Sequence, residues 1–403
     1  MHAVVLGDSP VRLWGLTPAE RIDRQLRGEG IDLWRGDPRT LPANDTLLML
    51  RGDCLYDGRV IRGLVKARHV LLEVDAGGRS IPAAAHVAME QAPFVGELLS
   101  GRLPLVSVPG VATVTLEQLA QGFEAGLLKL DRPYVLPVTA ENRVVLEQLT
   151  FSGAYKGVTD LVTKWLWPVP ALWATRWCVR MRITPNQVTA LSLVLVVVAG
   201  ALFARGEFGW GLMAGWIMTF LDTVDGKLAR VTVTSTKLGN IFDHGIDLIH
   251  PPFWYLAWGI GLALNPDVVA GIPLPLLYWV ILIGYIGGRL CEGAFQRWIA
   301  SFSIFTWRPV DSCFRLIAAR RNPNMIMLTV SLAAGRPDLG LIAVAAWTAL
   351  STAILLTRLL QAVRTRRRRG TVRSWLTEIG QTVGTDALVV RVFTHPAPAA
   401  RKS

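Results

Sequence analysis

Cysteine is scarce in this chain, with four in 403 residues. Cys54, Cys178, Cys291 and Cys313 stand far apart and form no C-x2-C or His-spaced pattern. That gives little support to a zinc or redox site and leaves burial as the expectation. The first residues, MHAVVLGDSP, lack a basic stretch followed by an apolar one, so no cleaved signal is expected and the N-terminus is placed in the cytoplasm. Acidic residues are the minority, 30 against 42 Lys and Arg, for a net charge of +12. Such an excess could serve nucleic acid, but the apolar residues fall into long blocks. Basic loops facing an anionic membrane leaflet explain both features without a nucleic-acid partner.

What is present divides into four stretches. Residues 1–150 alternate short apolar runs (HAVVLG, DTLLMLRGD, RHVLLEVD) with helix-like segments (ERIDRQLRGEG, VIRGLVKA). This rhythm predicts a soluble α/β domain with a mostly parallel, Rossmann-like sheet. Residues 151–184 mix Trp165, Trp167, Trp173 and Trp177 with Lys164, Arg176, Arg180 and Arg182, a composition suited to helices at headgroup level. Residues 185–365 hold apolar segments, read as six membrane spans over 187–204, 208–228, 240–264, 273–299, 323–335 and 339–362, against the roughly 20 residues a helical crossing needs. Arginine and lysine cluster before the first span, between the second and third, between the fourth and fifth, and after the sixth, whereas RGEFG, NPDVVAG and GRPD carry few. That alternation puts both termini in the cytoplasm. Residues 366–403 read as a basic cytoplasmic tail.

Between the second and third spans runs FLDTVDGKLARVTVTSTKLGNIFDHGIDL. Residues three or four apart share a helix face, so Asp222 and Asp225 point one way, as do Asp243 and Asp247. A short connection makes the two helices antiparallel neighbours, bringing both pairs to one surface pocket. Four carboxylates together need a positive partner, and an all-oxygen donor set favours Mg²⁺, Mn²⁺ or Ca²⁺ over zinc. Gly226, Ala229 and Gly239 on the same stripes allow close approach and leave room for a ligand against the backbone. A cation transporter with aspartates along its path is the competing reading; it requires the acids near the bilayer midplane, whereas these fall at span ends.

Asp222, Asp225, Gly226, Ala229, Arg230, Gly239, Asp243 and Asp247 reproduce, without departure, the signature D-x2-D-G-x2-A-R-x8-G-x3-D-x3-D. In this the chain resembles the CDP-alcohol phosphotransferases over roughly residues 150–365, and ITPNQVT (Ile183–Thr189) is similar to that family's lead-in to its first span. The resemblance implies six spans, a homodimer and transfer at the cytoplasmic face of the plasma or inner membrane. A CDP-linked donor, CDP-diacylglycerol or a CDP-polyol, would give its phospho-alcohol group to an acceptor hydroxyl and release CMP, with two Mg²⁺ or Mn²⁺ ions at the site. It assigns metal to Asp222, Asp225, Asp243 and Asp247, the proton-accepting role to Asp247, and nucleotide contacts to Gly226, Ala229, Arg230 and Gly239.

Arg289 and Glu292, inside the fourth span, either recognise the acceptor or pair with each other across one turn. His244 and His250 are expected to be structural, and Arg320 and Arg321 to mark a cytoplasmic loop. The N-terminal stretch distantly resembles sugar-phosphate nucleotidyltransferases, which occur fused ahead of this family in inositol-phosphate pathways, and the fusion hints at phosphoinositol chemistry. GDSPVRLWGLTPAER would replace the glycine-rich phosphate loop, yet after Gly7 no glycine follows until Gly15. Asp53 would be the first metal carboxylate, and VLPVTAEN carries leucine, proline and valine where the second is expected. Those losses favour a degenerate domain serving docking or regulation over an active cytidylyltransferase, the bifunctional alternative.

Overall fold

The structure, a computed structural model, describes all residues except 37–41, 43–44, 76–77, 121, 236, 265–270, 380–383, 385–386 and 395–403; of 237–244, 246 and 247 it describes the backbone alone. The chain opens with β1 (His2–Leu6), α1 (Pro18–Gly28), β2 (Thr46–Arg51), β3 (Cys54–Tyr56), α2 (Gly58–Lys66), β4 (Val70–Asp75), β5 (Ser80–Ala88), α3 (Ala92–Leu99), β6 (Ala112–Val114), α4 (Leu116–Leu119), β7 (Phe123–Glu124), β8 (Lys129–Leu130) and β9 (Val135–Pro137). Helix α1 starts where its sequence says it should. Thr17 caps it, Pro18 sets its first φ, and Glu20 returns a side chain to the Thr17 amide in a capping box.

The main sheet has the order β1-β2-β5-β4-β6. Pairs β1–β2 and β4–β6 are parallel, but β5 runs antiparallel to both β2 and β4. The sheet is therefore mixed, not mostly parallel as the sequence rhythm suggests. The connection from Asp75 to Ser80 is too short for a crossover, so β4 and β5 can pair only as a hairpin. Along β2, Leu48 and Leu50 face the core shared with α1 and α2, while Leu47 and Met49 face α3, so both sides of the sheet are covered.

Helices then dominate: α5 (Arg143–Gly153), α6 (Pro168–Arg180), α7 (Pro185–Ala204), α8 (Phe208–Val231), α9 (Lys237–Ala263), α10 (Leu274–Ala294), α11 (Pro309–Ile317), α12 (Arg321–Ala333), α13 (Pro337–Arg369) and α14 (Leu388–Phe393). A helix occupies each of the six segments read as spans. Among the described residues, three helical stretches are long and apolar enough to cross a membrane by length and composition: Pro185–Ala204, Leu274–Ile299 and Pro337–Arg369, with mean hydropathy 2.3, 1.6 and 2.1. Helix α12 has only 13 residues, and α8 carries Asp222, Asp225, Lys227 and Arg230.

The helices touch closely where small residues permit. A side chain at Gly261 would collide with the Phe203 carbonyl oxygen, and one at Gly284 would meet Thr348 at 2.9 Å. Around these contacts Phe203, Trp254, Trp258 and Met325 form the helical core. Helix α6 buries Ala171, Thr175 and Cys178 and exposes Val169, Trp173 and Trp177 at four-residue spacing. The segment read as a basic tail is packed in part: α13 runs on through the arginine run to Arg369, and Trp375, Leu376, Val390 and Phe393 join a core with Phe295 and Trp307. Cys54, Cys178 and Cys291 are buried, but Cys313 lies exposed on α11, contrary to expectation.

Candidate active site

The lead-in TPNQ is a helix start. Thr184 caps α7, Pro185 takes the first position, and Gln187 closes the capping box. One turn on, Thr189 points at α8 and its hydroxyl donates to Asp225 Oδ2 at 2.6 Å. Asp225 is only 3 % exposed, a burial that a carboxylate tolerates when hydrogen-bonded. Three residues earlier, Asp222 Oδ2 accepts from Arg321 Nη2 at 2.5 Å. Both carboxylates project from α8, Asp225 towards α7 and Asp222 towards the first residue of α12.

Gly226 lies beneath the side chain of Arg230. A Cβ there would lie 3.0 Å from Arg230 Nη2, so the Arg230 guanidinium folds back over the glycine and fills that space itself. Beside it Lys227, 4 % exposed, sets its ammonium 3.7 Å from the centre of the Tyr155 ring, a cation–π contact strengthened by burial. Gly239, Asp243, His244 and Asp247 fall within α9, in the stretch described by backbone alone. The convergence of all four aspartates therefore lies outside the described residues; among those, no three His, Cys, Asp or Glu side chains converge.

Arg289 and Glu292 do pair across a turn, Nη1 to Oε2 at 3.5 Å, and Arg320 joins them on the same carboxylate oxygen. Arg320 and Arg321 are therefore more than charges in a loop: one reaches Glu292 and the other Asp222. Sequence reading missed this because each partner lies 28 or 99 residues away; the only local signal was two adjacent arginines opening a short helix. Between α10, α13 and the α12 start, Arg289, Glu292, Arg320 and Ser351 line a cavity of about 20 Å³, enough for one water. His250 is buried edge-on to Trp254 at 4.8 Å, in keeping with a structural role.

Residues 182–294 match the family model for CDP-alcohol phosphatidyltransferase. Over those residues the chain is similar to the CDP-alcohol phosphatidyltransferases. That segment spans α7, α8, α9 and α10, the helices that hold the signature and its lead-in. A bifunctional IPC transferase and DIPP synthase from Rubrobacter xylanophilus is 27% identical over 46% of this chain and 38% of its own length. The Cholinephosphotransferase 1 of Gallus gallus is 34% identical over 34% of this chain and 43% of its own. A phosphatidylinositol phosphate synthase from Mycobacteroides abscessus is 33% identical over 20% of this chain and 40% of its own. The chain thus spans less than half the length of these curated relatives. With its apolar helices, this similarity marks the chain as an integral membrane protein.

Proposed function

We propose that this chain transfers a phospho-alcohol group from a CDP-linked donor to an acceptor hydroxyl at the cytoplasmic face of a membrane, with CMP as the leaving product. The observation that carries this reading is the pair Asp222 and Asp225, set on one face of α8 inside the family-matched segment and bracketed by Arg321 and Thr189. Their donor set is all oxygen and fits a hard divalent cation, with Asp243 and Asp247 as the further ligands. Such ions, when bound, supply charge stabilisation on the attacking and leaving oxygens. Arg230 would bind a donor phosphate. In the transfer the acceptor oxygen bonds to the β-phosphorus, the bond to the bridging oxygen breaks, and that oxygen departs with CMP. Asp247 takes the hydroxyl proton.

The six helices are read as six spans and the active unit as a homodimer. A groove of about 760 Å³ between α7 and α9, lined by Val196, Val197, Phe253 and Trp254, has the apolar character that acyl chains require. Arg289, Arg315, Arg320 and Arg321 outnumber the acids Asp160, Glu292 and Asp222 near them, four to three, which favours a phosphate-bearing substrate and agrees with the similarity to a phosphatidylinositol phosphate synthase. The N-terminal domain is read as non-catalytic. Trp14, in the stretch standing for the phosphate loop, is buried in an apolar core and bonded to α5, and Asp53 is held by Arg51 at 2.7 Å, which keeps its carboxyl below the usual range.

The test supplies purified protein and Mn²⁺ with a panel of CDP-alcohols and acceptors and follows CMP. Asp225→Asn is expected to lower CMP release by at least about 100-fold at unchanged thermal stability. Full turnover in that variant would remove Asp225 from the site. Cytidine triphosphate with inositol phosphate should yield no pyrophosphate.

A further inference from the structure

The last carbonyls of a helix have no intrahelical donors and must be satisfied elsewhere. At the end of α8 each can be followed. Leu228 O accepts from the Thr232 amide and hydroxyl, Ala229 O from the Thr234 amide at 2.9 Å, and Arg230 O from the Val233 amide at 3.3 Å. The next two, Val231 O and Thr232 O, accept from the N-terminal domain: Arg21 Nη1 and Arg24 Nη1 each donate at 2.7 Å. Arg21 and Arg24 are one turn apart on α1, so a single helix face delivers both guanidinium groups. Their positive charge also complements the negative end of the α8 dipole.

The turn they grip is strained. The bonds from Val233 and Thr234 form a Schellman cap, in which the residue at the left-handed position is usually glycine. Here it is Val233, at φ +52°. A side chain in that region is disfavoured, and β-branching makes valine a poor occupant. Such a conformation persists only where its surroundings hold it. The hold extends beyond the two arginines. Leu13 and Leu16 exchange backbone hydrogen bonds across a tight turn with Trp14 and Gly15 at positive φ. Trp14, Leu55 and Val138 share one apolar core with Val224, Leu228 and Val231 of α8, and Trp14 Nε1 donates to Thr150 Oγ1 at 2.8 Å. Arg21 is 7 % exposed, and no carboxylate pairs with it among the described residues.

We infer that the N-terminal α/β domain is a clamp on the signature helix, with Arg21 and Arg24 as positioning residues that hold the strained turn directly after Arg230 and so fix where Asp222, Asp225 and Arg230 stand. The catalytic half of this inference rests on the transfer activity proposed above; the mechanical half does not.

The exposed member, Arg24, gives a variant that leaves the folded core intact. In Arg24→Ala, hydrogen exchange at the Val233 and Thr234 amides should accelerate about tenfold, the loss of one charge-assisted bond, while amides in α10 and α13 keep their rates. Maximal Mn²⁺-dependent CMP release should fall about tenfold with the acceptor KM within about twofold, because geometry and not uniform binding is disturbed. Adding Val233→Gly relieves the strain and should restore both readouts most of the way; Arg21→Lys, which keeps a donor, should behave nearly as wild type. Unchanged exchange in Arg24→Ala overturns the clamp. Faster exchange with undiminished CMP release overturns its link to the site. If the wild-type chain releases CMP from no CDP-alcohol, the transfer reading fails and exchange alone judges the clamp.

Discussion

At the residue scale the proposed site includes a neutral hydroxyl beside its carboxylates. Thr189 fixes one oxygen of Asp225 at 2.6 Å from a different helix, and partners that orient a ligand group in this way are typically worth 10- to 100-fold in metal affinity. Thr189→Val keeps the shape and removes the donor. Mn²⁺ binding followed by electron paramagnetic resonance should weaken by roughly tenfold, with no loss of thermal stability beyond about 1 kcal/mol; unaltered binding would leave Thr189 a packing residue. Spacing alone put Asp222 and Asp225 on one side of a helix, with Gly226 and Ala229 on the same stripe, because three- and four-residue intervals on a helix dictate a common face. The pairing of Arg321 with Asp222 and of Arg320 with Glu292 could not be found that way, since it is made by tertiary packing between α8, α10 and α12.

At the element scale, α9 shows how an apparent defect is repaired. Pro251 and Pro252 lie inside the helix, and a proline has no N–H to offer the carbonyl four residues back. For Pro252 that carbonyl belongs to Leu248, and the Tyr285 hydroxyl of α10 donates to it at 2.9 Å. The repair is specific enough to test with a double-mutant cycle. Tyr285→Phe should cost about 1 kcal/mol in the native background and close to nothing in Pro252→Ala, where the new N–H serves Leu248 instead. Unfolding in mixed micelles measures both, and equal costs in the two backgrounds would refute the link. Hydropathy made the helices legible, and capping residues such as Thr17 and Thr184 marked their starts. The antiparallel β5 was not legible: SIPAAAHVA is rich in alanine, so neither alternation nor β-branching announces a strand inserted between β2 and β4.

At the scale of the whole molecule, the four stretches of the sequence are less separate than their compositions suggest. Composition records which solvent a segment prefers, and it carries no trace of contacts between segments that prefer different ones. Lys164 sits at such a junction. Its ammonium donates to the Gly157 carbonyl at 3.0 Å and lies 5.0 Å from the Phe393 ring of α14, and burial there pulls its pKa from 10.5 down to about 8. Between those two values the unfolded chain binds more protons than the folded one, so this residue makes stability rise with pH across that window and adds a constant penalty below it. Cysteines and tyrosines of the unfolded chain titrate in the same range, but they do so equally in wild type and Lys164→Met. The comparison between the two therefore isolates the lysine. From pH 7.5 to pH 9.5 the apparent Tm of the wild type should gain on that of the variant; a difference that stays flat, or moves the other way, would mean that Lys164 keeps its ordinary basicity and that the C-terminal helix does not bury it.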